Sequence, residues 1–292
     1  MSETALPTVS AGRGAVNTRG ASLRAVYIIW YRDVLRYWRD RWRVGASLAQ
    51  PLLYLIIFGT GLSSSLRGVG SFGAGGSVMS YQQFIYPGIM SMAILFTTIF
   101  GAMSIVWDRE FGFLKEVLVA PINRSAVAIG KTLGSTTQAM IQGLILLVLA
   151  PFVGVKLTPL LVIELIPLAF MLAFALSALG VAVGSGIRSI QGFQVVMNFL
   201  MLPMFFLSGA LFPLTRLPGW MTVLTRLDPA AYGVDPLRRV VLTGSGVPDA
   251  AVNGLSLTLF GVTLSIPVEE LILLGFGFAL LALGIRNFQV RD

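Results

Sequence analysis

The chain has 292 residues, of which 55% are hydrophobic and only 12% are charged. Soluble domains average about 25% charged residues, so this composition excludes a soluble globular protein and requires apolar surface in lipid. The net charge is +8, and eight of the 21 Lys and Arg residues precede residue 44, which favours anionic lipid headgroups over a nucleic-acid partner. The absence of Cys and His excludes disulfides, thiolate or imidazole metal sites and histidine catalysis.

The N-terminal region divides into a polar tail and a basic amphipathic segment. Residues 1–21 are small and polar, which predicts a disordered cytoplasmic tail without the apolar core of a signal peptide. Residues 22–43 carry apolar side chains at helical spacing and arginines on another face, which predicts an interface helix in the headgroup plane. An ordinary surface helix is the alternative. The interface residues singled out are Trp30, Arg32, Arg36, Trp38 and Trp42.

Long uncharged runs predict an all-α integral membrane protein with six transmembrane helices. The predicted spans lie near 45–63, 83–106, 125–152, 160–186, 190–211 and 267–285. Six spans place both termini on one side of the membrane. That side holds 15 Lys and Arg residues against six on the other, so we expect both termini to be cytoplasmic.

The connection between spans five and six is long and interrupted by prolines. Its sequence predicts short outer or re-entrant helices over 218–227 and 231–242. Within residues 255–266, apolar and polar side chains alternate on both sides of Gly261, which indicates a small β-hairpin outside the membrane. A seventh span over 250–268 is the rival interpretation, disfavoured because this stretch is rich in Ser and Thr.

Two glycine-containing motifs resemble nucleotide sites but lack the necessary context. The GxGxxG sequence at 68–73 lies in a loop between two spans, where we interpret it as a linker. Gly130-Lys131-Thr132 resembles the end of a P-loop, but Ser125 occupies the position of its first glycine. No catalytic group of residues stands out, so we expect a non-catalytic chain.

The segment between spans two and three predicts a short amphipathic helix over 108–119. Phe111, Leu114 and Leu118 share one face, Pro121 ends the helix, and Ser125 can cap the next one. A helix tied to two spans could act as a lever for a partner protein. A plain loop helix resting on lipid explains the pattern equally well.

This segment resembles the signature of ABC-2 type transporter permeases. The matching positions are Arg109, Glu110, Gly112, Glu116, Pro121, Arg124, Gly130 and Lys131. Further matches are Gln50-Pro51 and the proline-rich stretch 212–238. The resemblance covers nearly all of residues 22–288 and is strongest to bacterial drug-exporter permeases of the daunorubicin-resistance type and their nodulation-factor-exporting relatives. The stretch 244–266 is longer than the family pattern.

The resemblance implies a permease homodimer in a bacterial inner membrane, with ATP and Mg bound by separate ABC ATP-binding subunits. It implies that 108–119 is a coupling helix. The expected ATPase-coupling residues are Glu110, Phe111, Gly112, Phe113, Leu114, Lys115, Glu116, Pro121 and Arg124. Gly112 would allow a close backbone approach. The candidate substrate-path residues are Gln50, Gln138, Gln142, Gln194 and Asn198, for which interhelical hydrogen bonding is the alternative role.

The function expected from this resemblance is ATP-driven export of a hydrophobic, drug-like or lipid-like substrate from the cytoplasm or inner leaflet. Export of a lipid-linked glycan is one alternative. An ATP-independent carrier or channel is another, and a membrane scaffold without transport is a third.

Overall fold

The computed structural model describes residues 18–62, 81–112, 123–214, 217–259 and 262–291. Most of these residues are helical. The helices are α1 (Thr18–Arg39), α2 (Arg41–Ile56), α3 (Tyr81–Glu110), α4 (Arg124–Val148), α5 (Pro159–Gly186), α6 (Ile190–Leu207), α7 (Gly219–Leu227), α8 (Ala231–Gly244), α9 (Asp249–Asn253) and α10 (Ile266–Arg291). A π-helical stretch, Ile57–Leu62, continues α2, and a 3-10 turn, Ala150–Val153, follows α4.

Four helices of this described part are long and apolar enough to cross a membrane. They are Tyr81–Glu110, Pro159–Gly186, Ile190–Leu207 and Ile266–Gln289. A shorter apolar stretch, Val44–Gly59, lies in α2 and its continuation. Helix α4 overlies the third predicted span but is more polar, because it carries Lys131, Gln138 and Gln142. A count of six spans therefore stays a prediction, whereas the helical architecture and four helices suited to cross a membrane are present in the structure.

Helix α3 lies at the centre of the bundle. It packs against α2, α4, α5, α6 and α8, and Phe84, Ile85, Ile94 and Ile105 along it are fully buried. Helix α4, a neighbour of α3, tolerates polar residues because its polar side chains face other helices. Helices α5 and α10 form another close pair, in which Gly277 of α10 lies against Phe174 and Ala175.

The N-terminal boundaries differ from those predicted. Helix α1 begins at Thr18, so the last residues of the predicted tail are helical, and it ends at Arg39 rather than at residue 43. Asp40 interrupts the helix, and α2 begins at Arg41. Trp42 therefore belongs to α2, not to the interface helix.

The predicted coupling helix also begins differently. Residues 108–110 form the last turn of α3. Gly112 follows with a φ of +81°, a conformation that residues other than glycine rarely adopt. Among the described residues of this chain, nothing lies within 4 Å of a Cβ placed on Gly112, so the backbone angle is sufficient to explain the glycine within the chain. A close approach by a partner protein stays a prediction. Residues 113–119 lie outside the described part. Asn123, rather than Ser125, caps α4 by accepting a hydrogen bond from the Ser125 amide.

The connection from α6 to α10 contains short elements only. Helices α7 and α8 occupy 219–227 and 231–244, and α9 adds one short turn at 249–253. Strands β1 (Thr258–Leu259) and β2 (Val262–Thr263) pair antiparallel inside the stretch where the sequence indicated a hairpin. Because α9 and the strands interrupt 250–268, this stretch is not the single helix that a seventh span would need.

Gly88→Ala should destabilise the bundle by forcing α3 away from the chain after α6. A Cβ atom at position 88 would lie 2.1 Å from the carbonyl oxygen of Ala210. Overpacking of this kind costs about 1–3 kcal/mol. We therefore expect a lower midpoint in thermal unfolding of the detergent-purified protein.

The matched control for this prediction is Gly275→Ala in α10. A Cβ atom there would meet nothing within 4 Å, so the midpoint should stay at the wild-type value. Equal midpoints for the two variants would contradict the packing described for Gly88.

Candidate functional site: the coupling end of the helix bundle

The ends of several helices meet at one end of the bundle, which we call the coupling end. It comprises the end of α3, the start of α4, the α5–α6 turn and the end of α10. Arg109 donates to the carbonyl oxygens of Ser185 and Ile187 at 3.2 and 2.9 Å. These carbonyls end α5, where the helix dipole favours a cation. Glu110 accepts from the amide of Ile190, at 3.0 Å, where α6 begins.

Arg124 extends the same set of contacts to the last helix. Its Nη1 atom donates to the carbonyl oxygens of Phe288 and Gln289 at 3.3 and 3.0 Å. The start of α4 is therefore tied to the end of α10, just as the end of α3 is tied to the α5–α6 turn. The connection between α3 and α4 thus begins and ends at residues that hold three other helices.

A buried ion-pair cluster lies directly beneath these contacts. The Nζ atom of Lys131 in α4 lies 3.0 Å from Asp33 Oδ2 in α1 and 2.6 Å from Asp108 Oδ2 in α3. Ser104 Oγ lies 3.0 Å from the same nitrogen. Arg32 closes the cluster, with Nη2 at 3.1 Å from Asp33 and 2.8 Å from Asp108. Two cations and two carboxylates therefore balance one another and join three helices.

Burial and charge pairing act in opposite directions in this cluster. The side chains of Lys131 and Asp33 are 3% and 4% exposed. Burial disfavours the charged form of Arg32, but Asp33 and Asp108 outweigh this effect and hold the guanidinium pKa above its ordinary value. Removing one member of such a cluster leaves an uncompensated buried charge.

Helix α1 lies against α4 through small residues and hydrogen bonds. Cβ atoms placed on Gly130 and Gly134 would lie 3.0 and 3.1 Å from Ile29 and Asp33, so the glycines allow this approach. Trp30 Nε1 donates to Thr137 Oγ1 at 2.9 Å. The row of α1 that faces α4 therefore includes Ile29, Trp30 and Asp33.

A second buried charge cluster lies at the opposite end of the bundle. Arg239 of α8 contacts Asp235 at 2.6 Å and Glu269 of α10 at 2.8 Å. The fully buried Arg238 donates to the carbonyl oxygen of Gly209 and stacks over the ring of Phe84, 4.5 Å from its centroid. This cluster fixes α8 between α3 and α10.

Asp228 lies between α7 and α8, just before this cluster. Its side chain is buried, and burial raises the pKa of Asp228 to about 8. Its Oδ1 accepts a hydrogen bond from the Ala230 amide at 2.9 Å, which holds the turn into α8.

Comparison with known sequences identifies the chain. The profile of the ABC-2 type transporter family matches residues 24–242, three quarters of the sequence. The chain belongs to the ABC-2 type transporter family. It is thus a membrane permease subunit of an ABC transporter, and the family implies an ATP-binding partner protein.

Three relatives of the chain are similar over most of its length, and the names of two of them, YadH and ycf38, contain the words transport permease. The inner membrane transport permease YadH of Escherichia coli is 26% identical over 239 residues, covering 79% of this chain and 88% of YadH. Nodulation protein J of Rhizobium meliloti is 26% identical over 221 residues, covering 75% of this chain and 79% of nodulation protein J. The protein ycf38 of Cyanophora paradoxa is 29% identical over 196 residues, covering 66% of each chain. The chain therefore spans about two thirds of the length of ycf38.

The ABC-2 signature residues divide between described and undescribed parts of the structure. Glu110 and Arg124 tie helices together at the coupling end, and Phe111 is 79% exposed beside them. The predicted coupling residues that lie outside the described part are Phe113, Leu114, Lys115, Glu116 and Pro121. Lys131, matched in the family signature without an assigned role, is the centre of the buried cluster.

The interface-helix residues of this ABC-2 chain fall into different environments. Trp30 is partly buried against α4, while Trp38 is 63% exposed. Arg32 belongs to the ion cluster, and Arg36 lies over the ring of Trp107. Trp42, in α2, is 91% exposed.

The five candidate substrate-path residues form two groups. Gln138 and Gln142 are buried: Gln138 donates to the backbone oxygen of Asp33, and Gln142 accepts from Tyr37 and Ser47. These contacts join α4 to α1 and α2. The other group is exposed on the surfaces of α2 and α6 and comprises Gln50, Gln194 and Asn198.

Little in the sequence indicated the ion cluster. Asp33, Asp108 and Lys131 lie far apart in the chain and match no spacing rule. The one available signal was a lysine within a span, since intramembrane charges are functional suspects.

Lys131→Met should strongly destabilise the protein, because Asp33 and Asp108 would be left with Arg32 alone. Breaking a buried ion pair from one side costs about 3–5 kcal/mol. We expect a marked fall in the thermal unfolding midpoint in detergent. The double variant with Asp108→Asn should recover part of this loss, because it removes one of the uncompensated carboxylates.

Lys156→Met is the control for this prediction, because Lys156 is exposed between α4 and α5. This variant removes the same charge and should leave the midpoint unchanged. Equal unfolding midpoints for Lys131→Met and Lys156→Met would contradict a stabilising role of the cluster.

Proposed function

We propose that the chain is the permease of an ATP-driven exporter that moves a hydrophobic, drug-like or lipid-like substrate out of the cytoplasm or inner leaflet. It would act as a homodimer in a bacterial inner membrane, with both termini and the coupling end in the cytoplasm. ATP and Mg would bind the partner subunits. The observation that carries the proposal is the exposed Phe111 at the coupling end, where contacts tie the α3–α4 connection to the other helices.

Phe111 is suited to contact another protein. It is 79% exposed, directly after α3, and it lies beside Trp107 and Asp108 in an open cleft. Exposed aromatic residues next to charged groups are typical anchors of protein interfaces. We therefore assign Phe111 to the surface that receives the ATP-binding subunit.

A displacement at Phe111 would reach most of the bundle. Arg109 and Glu110 connect the preceding turn to α5 and α6, while Asp108 connects it to α1 and α4 through Lys131. Motion of a packed helical unit requires such rigid connections. Closure of the ATP-binding partners would thereby move α3 and the helices attached to it as one body.

The substrate path is proposed between two copies, along α2 and α6. These helices approach each other at one point, where the ring centroids of Tyr54 and Phe205 are 6.4 Å apart. Gln50, Gln194 and Asn198 are exposed on them, and polar side chains are unfavourable against lipid tails. A second copy would cover them, and the apolar Val195, Phe199 and Leu202 exposed on the same helix suit a hydrophobic substrate.

Phe111→Asp should weaken the association with an ATP-binding subunit. The tagged chain would be purified from native membranes and its bound proteins identified by mass spectrometry. Loss of an interface anchor is worth about 2 kcal/mol or more, so we expect at least tenfold less co-purified P-loop ATPase.

Phe152→Asp is the matched control for the ATPase measurement. Phe152 is 87% exposed but lies in the turn after α4, away from the coupling end. It should retain the ATPase at the wild-type level. Absence of any ATPase with the wild-type chain would favour an ATP-independent carrier or channel, and retention by Phe111→Asp would contradict the assigned docking surface.

Asn198→Cys should cross-link two copies of the chain in native membranes under mild oxidation. The natural sequence has no cysteine, so the introduced thiol is unique. The control is Phe278→Cys, because Phe278 is 60% exposed on α10, which packs on α5 rather than on α2 or α6. Dimers with Phe278→Cys but not with Asn198→Cys would place the interface elsewhere.

A further inference from the structure

Three arginines follow one side of α1 and line an open cleft. Arg32, Arg36 and Arg39 are spaced at i, i+4 and i+7, which places them on one helix face. With Leu35 and Asp40 they surround a cavity of about 530 Å³. The cavity is large enough for a phosphate group and its nearest substituents.

A second open cleft adjoins the first at Arg36. It measures about 450 Å³ and is lined by Arg36, Trp107, Asp108 and Phe111. The Arg36 guanidinium carbon lies 5.5 Å from the centre of the Trp107 ring, a cation–π contact that holds the side chain between the clefts. The combined depression therefore runs from α1 to the last turn of α3.

The charges around this depression leave a positive surplus. Asp33 and Asp108 are already matched by Lys131 and Arg32 in the buried cluster. Among the described residues, neither Arg36 nor Arg39 forms an ion pair with a carboxylate. Asp40 also lines the cleft, so Arg36 and Arg39 together leave a net positive charge there that can bind an anion.

The residues around the cleft indicate its depth relative to a membrane. Tyr27, Tyr31 and Trp38 are each more than half exposed on α1, and Trp42 is 91% exposed just beyond it. Exposed Trp and Tyr residues concentrate at the level of lipid headgroups. The arginine cleft therefore lies where phospholipid phosphates are available at high local concentration.

We propose that this cleft is a binding site for the phosphate group of an anionic phospholipid. Arg36 and Arg39 are its ligands, because guanidinium groups bind phosphate oxygens in a bidentate manner. A bound lipid would connect α1 to the end of α3 and so hold the coupling end in one arrangement. This inference relies on the chain lying in a membrane but not on the proposed ATPase contact or substrate path.

The test is lipid retention by the full-length protein in native mass spectrometry. The delipidated chain would be titrated with phosphatidylglycerol or with phosphatidylcholine. The Arg36→Gln/Arg39→Gln double variant should bind phosphatidylglycerol on the order of tenfold more weakly than wild type, since both guanidinium groups that contact the phosphate are lost. Phosphatidylcholine binding should not change.

The control double variant is Arg24→Gln/Arg41→Gln, which removes the same charge from exposed positions outside the cleft. It should bind phosphatidylglycerol as wild type does. Equal losses in both double variants would show a general charge effect and would overturn the site. Arg39→Gln alone provides a second variant if the first does not fold, because Arg39 is exposed and forms no ion pair with any carboxylate that the structure describes.

A separate titration distinguishes the two sources of phosphate. Inorganic phosphate would be added to the delipidated wild-type chain and followed by thermal stability and by competition with phosphatidylglycerol. We expect no effect at millimolar concentrations, because the lipid adds its glycerol and acyl contacts. Binding of inorganic phosphate in the absence of phosphatidylglycerol binding would overturn the assignment to lipid.

Discussion

The contact of Lys131 with Asp33 and Asp108 is the interaction on which the coupling end depends. Each of the three charges comes from a different helix, and none can be buried alone without a large desolvation penalty. The helices α1, α3 and α4 must therefore approach one another at this point, and in one register. Arg32 supplies the second positive charge that makes the cluster neutral. The glycines of α4 that face α1 make the same approach sterically possible.

The polar character of α4 follows from this arrangement. A helix facing lipid would have to be apolar throughout, but Lys131, Gln138 and Gln142 point into contacts with α1, α2 and α3. Its neighbours carry the apolar surface instead, as in α5 and α10. Hydropathy therefore understates α4 because of its polar contacts with other helices, whereas the central helix α3 is both apolar and enclosed.

The two ends of the bundle are fixed by different chemistry. At the coupling end, side chains hold helix termini, as Arg109 holds the end of α5 and Glu110 the start of α6. At the opposite end, Arg238 and Arg239 lie within the bundle and hold α8 against α3 and α10. A movement applied at the coupling end would thus pass through helices that are anchored at both ends, which is the mechanical property a driven permease requires.

The sequence by itself determined the membrane character, the main helices and the family. These depend on composition, on long apolar runs and on local signature residues such as Gly112 and Arg124, all of which are readable within short windows. It also indicated the short helices and the hairpin before α10. It misplaced the end of α1, because residues up to 43 continue the helical pattern and only the structure shows the break at Asp40. Tertiary structure alone decided that Asp33, Asp108 and Lys131 meet, that Gln138 and Gln142 are buried between helices, and that Arg36 and Arg39 share a cleft. The physical reason is that these relations depend on how helices distant in sequence pack in three dimensions, and helical periodicity states only which residues share a face.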